Sequence, residues 1–512
     1  MSASKWRSLS LWLVGVAYAL LVFTAASRHV PWFDEAQSWL LARDSSLADL
    51  FASQLRYEGT PGLWHLLLKI LIAAGLPYSG LSYVSAALAL LGVAVFLWRA
   101  PFPLLLKLLF PFCYIPLFQY AVVARSYALI MPLLFGIAAL YPERLAARRF
   151  TYCVLLALLA NVSLHGALMA AFLIAEWLWN SWRAGLLPRR IGSLCAFAVL
   201  YTLLFLQLRL PSDLAAFAVD PAKHAALNRV LAQVSQALLG GAGPKPYEIA
   251  SALVASSILL AFLYWFRTSA ALVLFLGLTI PLLLLAAFRQ AAYWHSGILF
   301  LVWIFALWIH GAQSRWQNAL VAAIFAVQAA FGLLSVRHDL ANPYSGSKAA
   351  AAYLRQTGED RGNLYAIGFK PFALQPYFDR NLFAAQEDGR IPAFYRWSTA
   401  PDHRSLIASD LRSRNPDRII LSANVDVSAL RARGYCQERR FEGAIWWKNA
   451  ALEPDSYTVL SRCSPLAQAQ HLQHLLPQRI EGVRHPVRFD VHQAQRGLLS
   501  GLAANHLAVL LP

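Results

Sequence analysis

The sequence predicts a polytopic α-helical membrane protein with a soluble α/β domain at its C-terminal end. Of the 512 residues, 58% are hydrophobic and 14% are charged, and the mean hydropathy is +0.49. These values exclude an ordinary soluble globular protein. About eleven apolar runs approach the length that a bilayer requires, and they are residues 9–26, 81–98, 102–120, 126–141, 150–165, 167–181, 191–208, 249–266, 270–287, 297–311 and 317–335.

The net charge of +18 comes from arginines that cluster between the apolar runs. Such clusters indicate membrane orientation and contact with membrane lipids, and they argue against nucleic-acid binding. The first apolar run is expected to remain as a membrane span, because no small-residue cleavage site precedes the charged stretch. The cysteines show no metal-ligand spacing, and only Cys436 and Cys463, which lie outside the apolar runs, could pair.

Residues 61–76, PGLWHLLLKILIAAGL, decide the predicted topology. The segment is short and contains His65 and Lys69, so we expect a helix that lies in the membrane interface instead of crossing it. With the N-terminus in the cytoplasm, most arginines of the short loops then also lie on the cytoplasmic side. The first outer loop is expected at residues 27–80.

The composition changes after the last apolar run. The segment YSGSKAAAAYLRQTG has the period of an amphipathic helix, and NLYAIGF, RIILSANV and IWWKN are typical of strands. The sequence therefore predicts a membrane domain over residues 1–335 and an extracytoplasmic α/β domain over residues 336–512. No clear pattern is visible from about residue 464 onward.

One face of the predicted bundle collects ionisable groups. A charged side chain at the membrane edge is costly to desolvate, so it marks a cavity, a substrate or a partner charge. The residues that this topology places at outer ends of spans or in the joining loops are Asp34, Glu35, Glu58, Arg125, His165, Arg289 and His295.

Asp34 is the strongest candidate among them, because Pro31 stiffens the approach to it and aromatic residues flank it. Glu35 has two interpretations, either as a site residue or as a structural acid that caps its helix or pairs with an arginine. His165 could equally be a satisfied core histidine, although the glycine that follows permits close approach of a ligand. The same alternative applies to His295.

Several catalytic signatures are missing from the sequence. It contains no GxGxxG after a strand, no Walker loop, no HExxH, no GxSxG and no DxD in the outer loops. Nothing therefore points to a bound nucleotide diphosphate. A group-transfer reaction would take its donor from a lipid within the bilayer.

Five segments of the membrane region carry a family resemblance. In chain order they are PWFDEAQSWLLARDSS, YEGTPGLWHLLL, FQYAVVARSYAL, NVSLHG and AAYWHSGILF, and the first is the most specific. Together they resemble the bacterial GT-C membrane glycosyltransferases related to protein O-mannosyltransferases and to the lipid A aminoarabinose transferase. The resemblance implies a GT-C-like membrane fold, a polyprenyl-phosphate sugar as donor, and usually inversion at the anomeric carbon.

The resemblance also implies roles for residues. Asp34 matches the acid at the family's catalytic centre, where it would take the proton of an acceptor hydroxyl or amine. The leaving lipid phosphate requires a cation, and Arg125, Arg289 and the two histidines are candidates. The substrate-binding residues expected on this basis are Glu35, Glu58, His65, Arg125, Tyr127, His165, Arg289 and His295.

Two regions depart from the family pattern. Gln119 and Val123 stand where relatives commonly carry an acid, and Thr60-Pro61 replaces a His-Pro pair. The loss of a second acid weakens the case for a bound divalent metal.

The leading hypothesis is an inner-membrane enzyme of the cell envelope that transfers a lipid-linked sugar to an extracytoplasmic glycan, lipid or protein. Two alternatives stay open. One is a transporter or flippase of a lipid-linked saccharide, for which inverted repeats would be expected. The other is a non-catalytic envelope assembly protein, which the departures at Gln119 and Thr60 keep open.

Overall fold

The computed structural model describes residues 3–214, 223–240, 245–289, 292–311, 313–361, 364–383, 394–398, 416–422, 427–446 and 452–463. Helices dominate the chain up to residue 341, and small sheets follow. The α-helices are α1 (Ala3–Arg28), α2 (Phe33–Asp44), α3 (Leu47–Asp49), α4 (Leu55–Glu58), α5 (Leu63–Ala73), α6 (Leu81–Arg99), α7 (Leu104–Leu109), α8 (Ile130–Leu140), α9 (Arg149–Ala160), α10 (Leu164–Arg183), α11 (Ile191–Gln207), α12 (Lys223–Leu239), α13 (Lys245–Phe266), α14 (Ala271–Phe288), α15 (Ser296–His310), α16 (Arg315–Ala341), α17 (Ser347–Thr357) and α18 (Ser428–Arg431).

The chain is a polytopic helical membrane protein, since 8 of the described helices are long and apolar enough to cross a membrane. Many of their apolar side chains face outward, such as Leu20 and Phe205. Outward apolar surface of this extent suits lipid and not water. The eight segments are Lys5–Arg28, Tyr78–Arg99, Ser126–Glu143, Leu187–Gln207, Tyr247–Phe266, Ala271–Phe288, Tyr293–His310 and Arg315–Ala341.

The prediction of a continuous span over residues 102–120 is wrong. Helix α7 ends at Leu109, and a 3-10 turn (Phe110–Phe112) and a π-helix (Ile115–Gln119) follow, each with a proline near its start. Proline has no N–H to donate, so it disfavours a regular helix. This irregular backbone is buried in the bundle, and only such burial makes non-helical backbone tolerable at membrane depth.

The predicted span over residues 150–165 is also interrupted, because α9 ends at Ala160 and α10 begins at Leu164. Helix α9 has only 12 residues. Helix α10 has 20 residues, but polar side chains such as Glu176 and Asn180 lower its hydropathy. Neither helix is among the eight.

Helix α5 has 11 residues, which corresponds to about 16 Å. A hydrocarbon core is about 30 Å thick, so α5 is too short to cross it, as the sequence predicted. The Leu63 N–H donates to the Asn161 carbonyl (3.2 Å), and Lys69 Nζ donates to the Ala42 carbonyl (3.0 Å) near the end of α2. Helix α5 therefore packs beside α2 at one end of the bundle, which we call the site end.

Helix α12 lies between the apolar runs 191–208 and 249–266, where the sequence predicted no element. It packs against α13, α14 and α15. Gln328 Nε2 of α16 donates to the carbonyls of Ala237 and Leu238 (2.9 and 3.0 Å). This buried amide satisfies carbonyl groups that the end of a helix leaves without partners.

The C-terminal region contains the predicted helix and strands. Helix α17 lies within the amphipathic segment, β1 and β2 lie within NLYAIGF and RIILSANV, and β4 overlaps the first two residues of IWWKN. The main sheet has the order β1-β2-β6-β3, in which β1 and β2 are parallel and the other pairs antiparallel. The tail from residue 464 lies outside the described residues. The strands are β1 (Leu364–Ile367), β2 (Arg418–Ser422), β3 (Tyr435–Phe441), β4 (Ala444–Trp446), β5 (Leu452–Pro454) and β6 (Tyr457–Arg462).

The predicted cysteine pair forms a disulfide. Cys436 and Cys463 have their Cα atoms 5.0 Å apart. The bond joins Cys436, the second residue of β3, to Cys463, the residue that follows β6. It therefore links the ends of two antiparallel neighbours in the main sheet.

Candidate functional site

An acid and an arginine from distant parts of the sequence meet at the site end. Arg125 Nη1 lies 3.1 Å from Asp34 Oδ2, and the two side chains are only 5% and 13% exposed. Asp34 comes from the first turn of α2, and Arg125 comes from the irregular segment after the π-helix. The structure thus brings into contact two of the residues that the sequence analysis placed on one face.

The start of α2 fixes the position of Asp34. Trp32 has extended backbone just before the helix, and Glu35 Oε2 accepts the Trp32 N–H (3.1 Å). This contact satisfies one of the N–H groups that the start of a helix leaves free. Acidic side chains in a first turn are also favoured by the helix dipole. Asp34 is thus held on a rigid element.

Of the two interpretations of Glu35, its contacts agree with a structural role. Its side chain is fully buried, and besides Trp32 it accepts from His29 Nε2 (3.0 Å) and from the Ala124 N–H (2.6 Å). Both carboxylate oxygens therefore face donors of the protein and not a ligand. Because Ala124 precedes Arg125, the same contact fixes the backbone that presents the arginine to Asp34.

His29 completes this network and was missed at the level of sequence, although it lies just before the PWFDE motif. Its Nδ1 lies 3.1 Å from Asp339 Oδ2, while its Nε2 faces Glu35. A ring that donates to two carboxylates carries both protons. Burial lowers the pKa of His29, but the charges of Asp339 and Glu35 outweigh it and raise the pKa to about 10. The charged ring ties α2 to α16.

Arg125 is a buried cation whose Nη1 forms the ion pair with Asp34. Its guanidinium carbon lies 4.3 Å from the ring centroid of Trp294 and 5.4 Å from that of Tyr127. Neither Nη1 nor Nη2 makes a hydrogen bond with any of the residues that the structure describes. A desolvated guanidinium of this kind is suited to bind an anion with two oxygens.

Burial sets the acidity of Asp34. It raises the pKa of this carboxyl group to about 6, against the opposing effect of the Arg125 charge. Asp34 is therefore mostly ionised at neutral pH, and its basicity is higher than that of an exposed aspartate. Such a carboxylate has the acidity expected of a general base.

Tyr127, His165 and His295 form a cluster of rings next to Arg125, as the predicted site requires. Tyr127 Oη lies 2.9 Å from His295 Nε2, and the ring centroids of His165 and His295 are 4.2 Å apart. His295 Nδ1 accepts the Ala292 N–H (3.2 Å). The proton of that neutral ring must then be on Nε2, which donates to Tyr127.

Glu58 is a further buried acid, and the charges of Asp34 and Arg125 affect the pKa of its carboxyl group. Burial raises the pKa of Glu58 to about 7, against a hydrogen bond from Gln37 that lowers it. Gln37 Nε2 donates to Glu58 Oε1 (2.7 Å) and also to the Tyr395 carbonyl (2.6 Å). The structure thus buries a second acid whose pKa lies near neutral pH and responds to the charges of Asp34 and Arg125.

Two predicted site residues lie apart from the pair in the described structure. His65 is buried in α5, and neither ring nitrogen has a hydrogen-bond partner among the described residues. Burial lowers the pKa of His65 to about 4, so the ring is neutral. Arg289 is exposed after the last residue of α14, and no described contact joins it to Asp34 or Arg125. The structure therefore offers Arg125, and not Arg289, as the buried cation.

The C-terminal region covers the site end. The Phe33 ring centroid is 4.7 Å from that of Phe369, and Ser347 Oγ donates to the Pro31 carbonyl (3.2 Å). The charge of Lys370, which lies 2.9 Å from Glu453 Oε1, also lowers the pKa of Asp34. No sequence motif pointed to Lys370, since only the packing of the 3-10 helix Lys370–Tyr377 on α2 brings it near.

The fold and the site define a class of protein: a polytopic helical membrane protein with a buried acid and arginine pair beneath a small α/β region. Among the described residues, no group of three or more His, Cys, Asp or Glu side chains is placed to hold a metal ion. Gln119, which stands where GT-C glycosyltransferases commonly carry an acid, accepts a hydrogen bond from the Tyr114 hydroxyl (2.6 Å). Comparison with family models, curated proteins and solved structures finds no match to this chain.

Proposed function

We propose that this protein is an integral-membrane glycosyltransferase that moves a sugar from a polyprenyl-phosphate carrier to an acceptor outside the cytoplasm. The observation that supports this function best is the buried pair of Asp34 and Arg125, whose Oδ2 and Nη1 atoms are 3.1 Å apart. One member can accept a proton, and the other can neutralise a phosphate. These are the two tasks of transfer from a sugar phosphate.

In the proposed reaction, Asp34 takes the proton of the acceptor hydroxyl while the acceptor oxygen bonds to the anomeric carbon. The bond from that carbon to the phosphate oxygen breaks, and its electron pair stays on the lipid phosphate. Arg125 pairs with this anion through Nη2, which makes no hydrogen bond to the described residues, while Nη1 faces Asp34. Attack and departure on opposite faces of the sugar give inversion.

Donor binding would also activate the base. The Arg125 charge lowers the pKa of Asp34. A donor phosphate that pairs with Arg125 cancels much of that effect, so the pKa of Asp34 rises and the carboxylate becomes a stronger base. The acceptor is thus deprotonated only when the donor is in place.

The proposed topology has the N-terminus in the cytoplasm and the site end in the periplasm of a bacterial inner membrane. The Cys436–Cys463 disulfide supports it, because disulfides persist outside the cytoplasm. The region that carries the disulfide contacts α2 through Phe369. The site and the disulfide therefore belong to the same compartment.

The test is a transfer assay with purified full-length protein and polyprenyl-phosphate sugars, matched against nucleotide sugars. We expect free polyprenyl phosphate as product only from the lipid-linked donors. Turnover of a nucleotide sugar would contradict the donor assignment. Movement of intact lipid-linked sugar across vesicles without cleavage would show a flippase instead. Mass spectrometry of cells that lack the gene should then find the accumulated donor.

A further inference from the structure

A polar cavity lies at the end of the bundle opposite to the site end. Its volume is about 330 Å³, which is near the lower bound for small-molecule pockets. It forms where the start of α1, the chain after α6 and the connection from α15 to α16 meet. The residues that line it are Arg7, Pro101, Phe102, Pro103, Gly311, Gln313 and Asn318.

The cavity contains buried polar atoms without partners. Both amide atoms of Gln313 and Oδ1 of Asn318 are buried, and none of them has a hydrogen-bond partner among the described residues. Whichever way the Gln313 amide is turned, the cavity presents one N–H donor group and two carbonyl acceptors. Leaving such groups unpaired costs free energy, so the set is complementary to a ligand with both donors and acceptors.

The charge of the cavity is positive. Arg7 lines it, and the start of the 27-residue helix α16 lies beside it, where the helix dipole favours an anion. Lys107 is nearby, but its Nζ donates to the Leu97 carbonyl (2.8 Å). The cavity therefore suits a ligand with an anionic group as well as hydrogen-bond donors.

Exposed tryptophans place this cavity at the depth of lipid headgroups. Trp98 at the end of α6 is 42% exposed, and Trp316 at the start of α16 is 86% exposed. Tryptophan concentrates at the boundary between hydrocarbon and water. A membrane lipid therefore has access to this position.

We infer that the cavity binds a phospholipid headgroup that carries both a phosphate and a donor group, such as phosphoglycerol or phosphoethanolamine. The phosphate pairs with Arg7 and the Gln313 N–H, while the hydroxyl or ammonium group donates to the carbonyls of Gln313 and Asn318. Phosphocholine has the same phosphate but no donor, so it leaves those carbonyls unpaired. This inference does not depend on the proposed function.

The test is native mass spectrometry of the delipidated full-length protein in detergent with equal amounts of phosphatidylglycerol, phosphatidylethanolamine and phosphatidylcholine. We expect the first two lipids to be retained about tenfold more than the third, as the loss of donor contacts to buried acceptors predicts. Arg7→Gln should reduce retention of phosphatidylglycerol about tenfold. Gln313→Leu should reduce the preference over phosphatidylcholine, since only the Asn318 carbonyl then remains to accept from the headgroup.

The control is Arg183→Gln, which removes an exposed arginine that does not line the cavity and should leave lipid retention within about twofold of wild type. Equal retention of all three lipids, or the same loss from Arg183→Gln as from Arg7→Gln, would overturn the inference. An arm with inorganic phosphate distinguishes the sources of the anion. Displacement of the lipid by millimolar phosphate alone would show a simple phosphate site and also overturn the headgroup assignment.

Discussion

Replacement of Asp34 by asparagine should abolish sugar transfer and, at the same time, stabilise the folded protein above about pH 6. The two effects have one cause. Asp34 is a carboxylate that the fold has desolvated, with its side chain only 13% exposed and its pKa raised from 3.8 to about 6. A group that is held ready to accept a proton destabilises the fold when it is charged.

The magnitude follows from the pKa. Each pKa unit corresponds to about 1.36 kcal/mol, so ionised Asp34 costs the folded state about 3 kcal/mol relative to the protonated form. Because the folded pKa lies above the unfolded value, this part of the stability is present below about pH 4 and is lost as the pH rises through about 6. The asparagine variant has no charge to desolvate, so it should not show this loss.

The assay compares thermal midpoints of wild type and Asp34→Asn in detergent between pH 4.5 and 8, together with transfer from a lipid-linked donor. We expect a gap in stability that opens with rising pH, and a loss of transfer of about 10²–10⁴-fold. Wild-type transfer should itself fall as the pH drops below about 6. The matched control is Asp44→Asn at the other end of α2, where the carboxylate is 24% exposed and paired with Arg43.

Two results would refute this reasoning. A stability gap that is absent or independent of pH would show that the Asp34 carboxylate is not desolvated as the structure indicates. Unchanged transfer in the variant would remove Asp34 from the reaction. Because the two readouts are separate, the failure of one leaves the other interpretable.

Three further substitutions test other parts of the argument. Arg125→Gln should lower transfer by about 10²-fold or more, since the leaving phosphate loses its cation. Arg289→Gln should leave the rate of transfer unchanged in the same assay. A loss of transfer in Arg289→Gln but not in Arg125→Gln would assign the phosphate to Arg289. Glu35→Gln should destabilise the protein by about 3–5 kcal/mol in denaturant titration, because it leaves the charged His29 with one carboxylate. A change in stability under about 1 kcal/mol would contradict the network of Glu35, His29 and Asp339. Cys436→Ser should cost about 2–4 kcal/mol, and equal stability of the variant and the oxidised wild type would argue against the disulfide.

The sequence predicted the membrane class because the length and hydropathy of a run are local properties. It also predicted a short helix in the α5 segment, since the apolar run that contains His65 and Lys69 is too short to cross a bilayer. The break within residues 102–120 was harder to predict. Its prolines were visible, but irregular backbone at that depth is possible only because other helices bury it.

For the candidate site too, some residues could be predicted from the sequence and others could not. Asp34 and Arg125 could be proposed from the sequence, because charged residues beside apolar runs are costly and therefore conspicuous. The role of Glu35 could not be decided, since His29 and Asp339 are 310 residues apart in the chain and both are needed to explain it. Lys370 had no local signal.

The sequence by itself determined that this is a membrane protein, which residues carry unusual charges, and that Cys436 and Cys463 were the two cysteines able to pair. The tertiary structure decided which of those charges meet, that Arg289 lies apart from Asp34, and that His29 holds the start of α2 in place. The physical reason is range. Hydropathy and helix length act within some twenty residues, whereas desolvation and ion pairing depend on which distant segments the fold brings within a few ångströms.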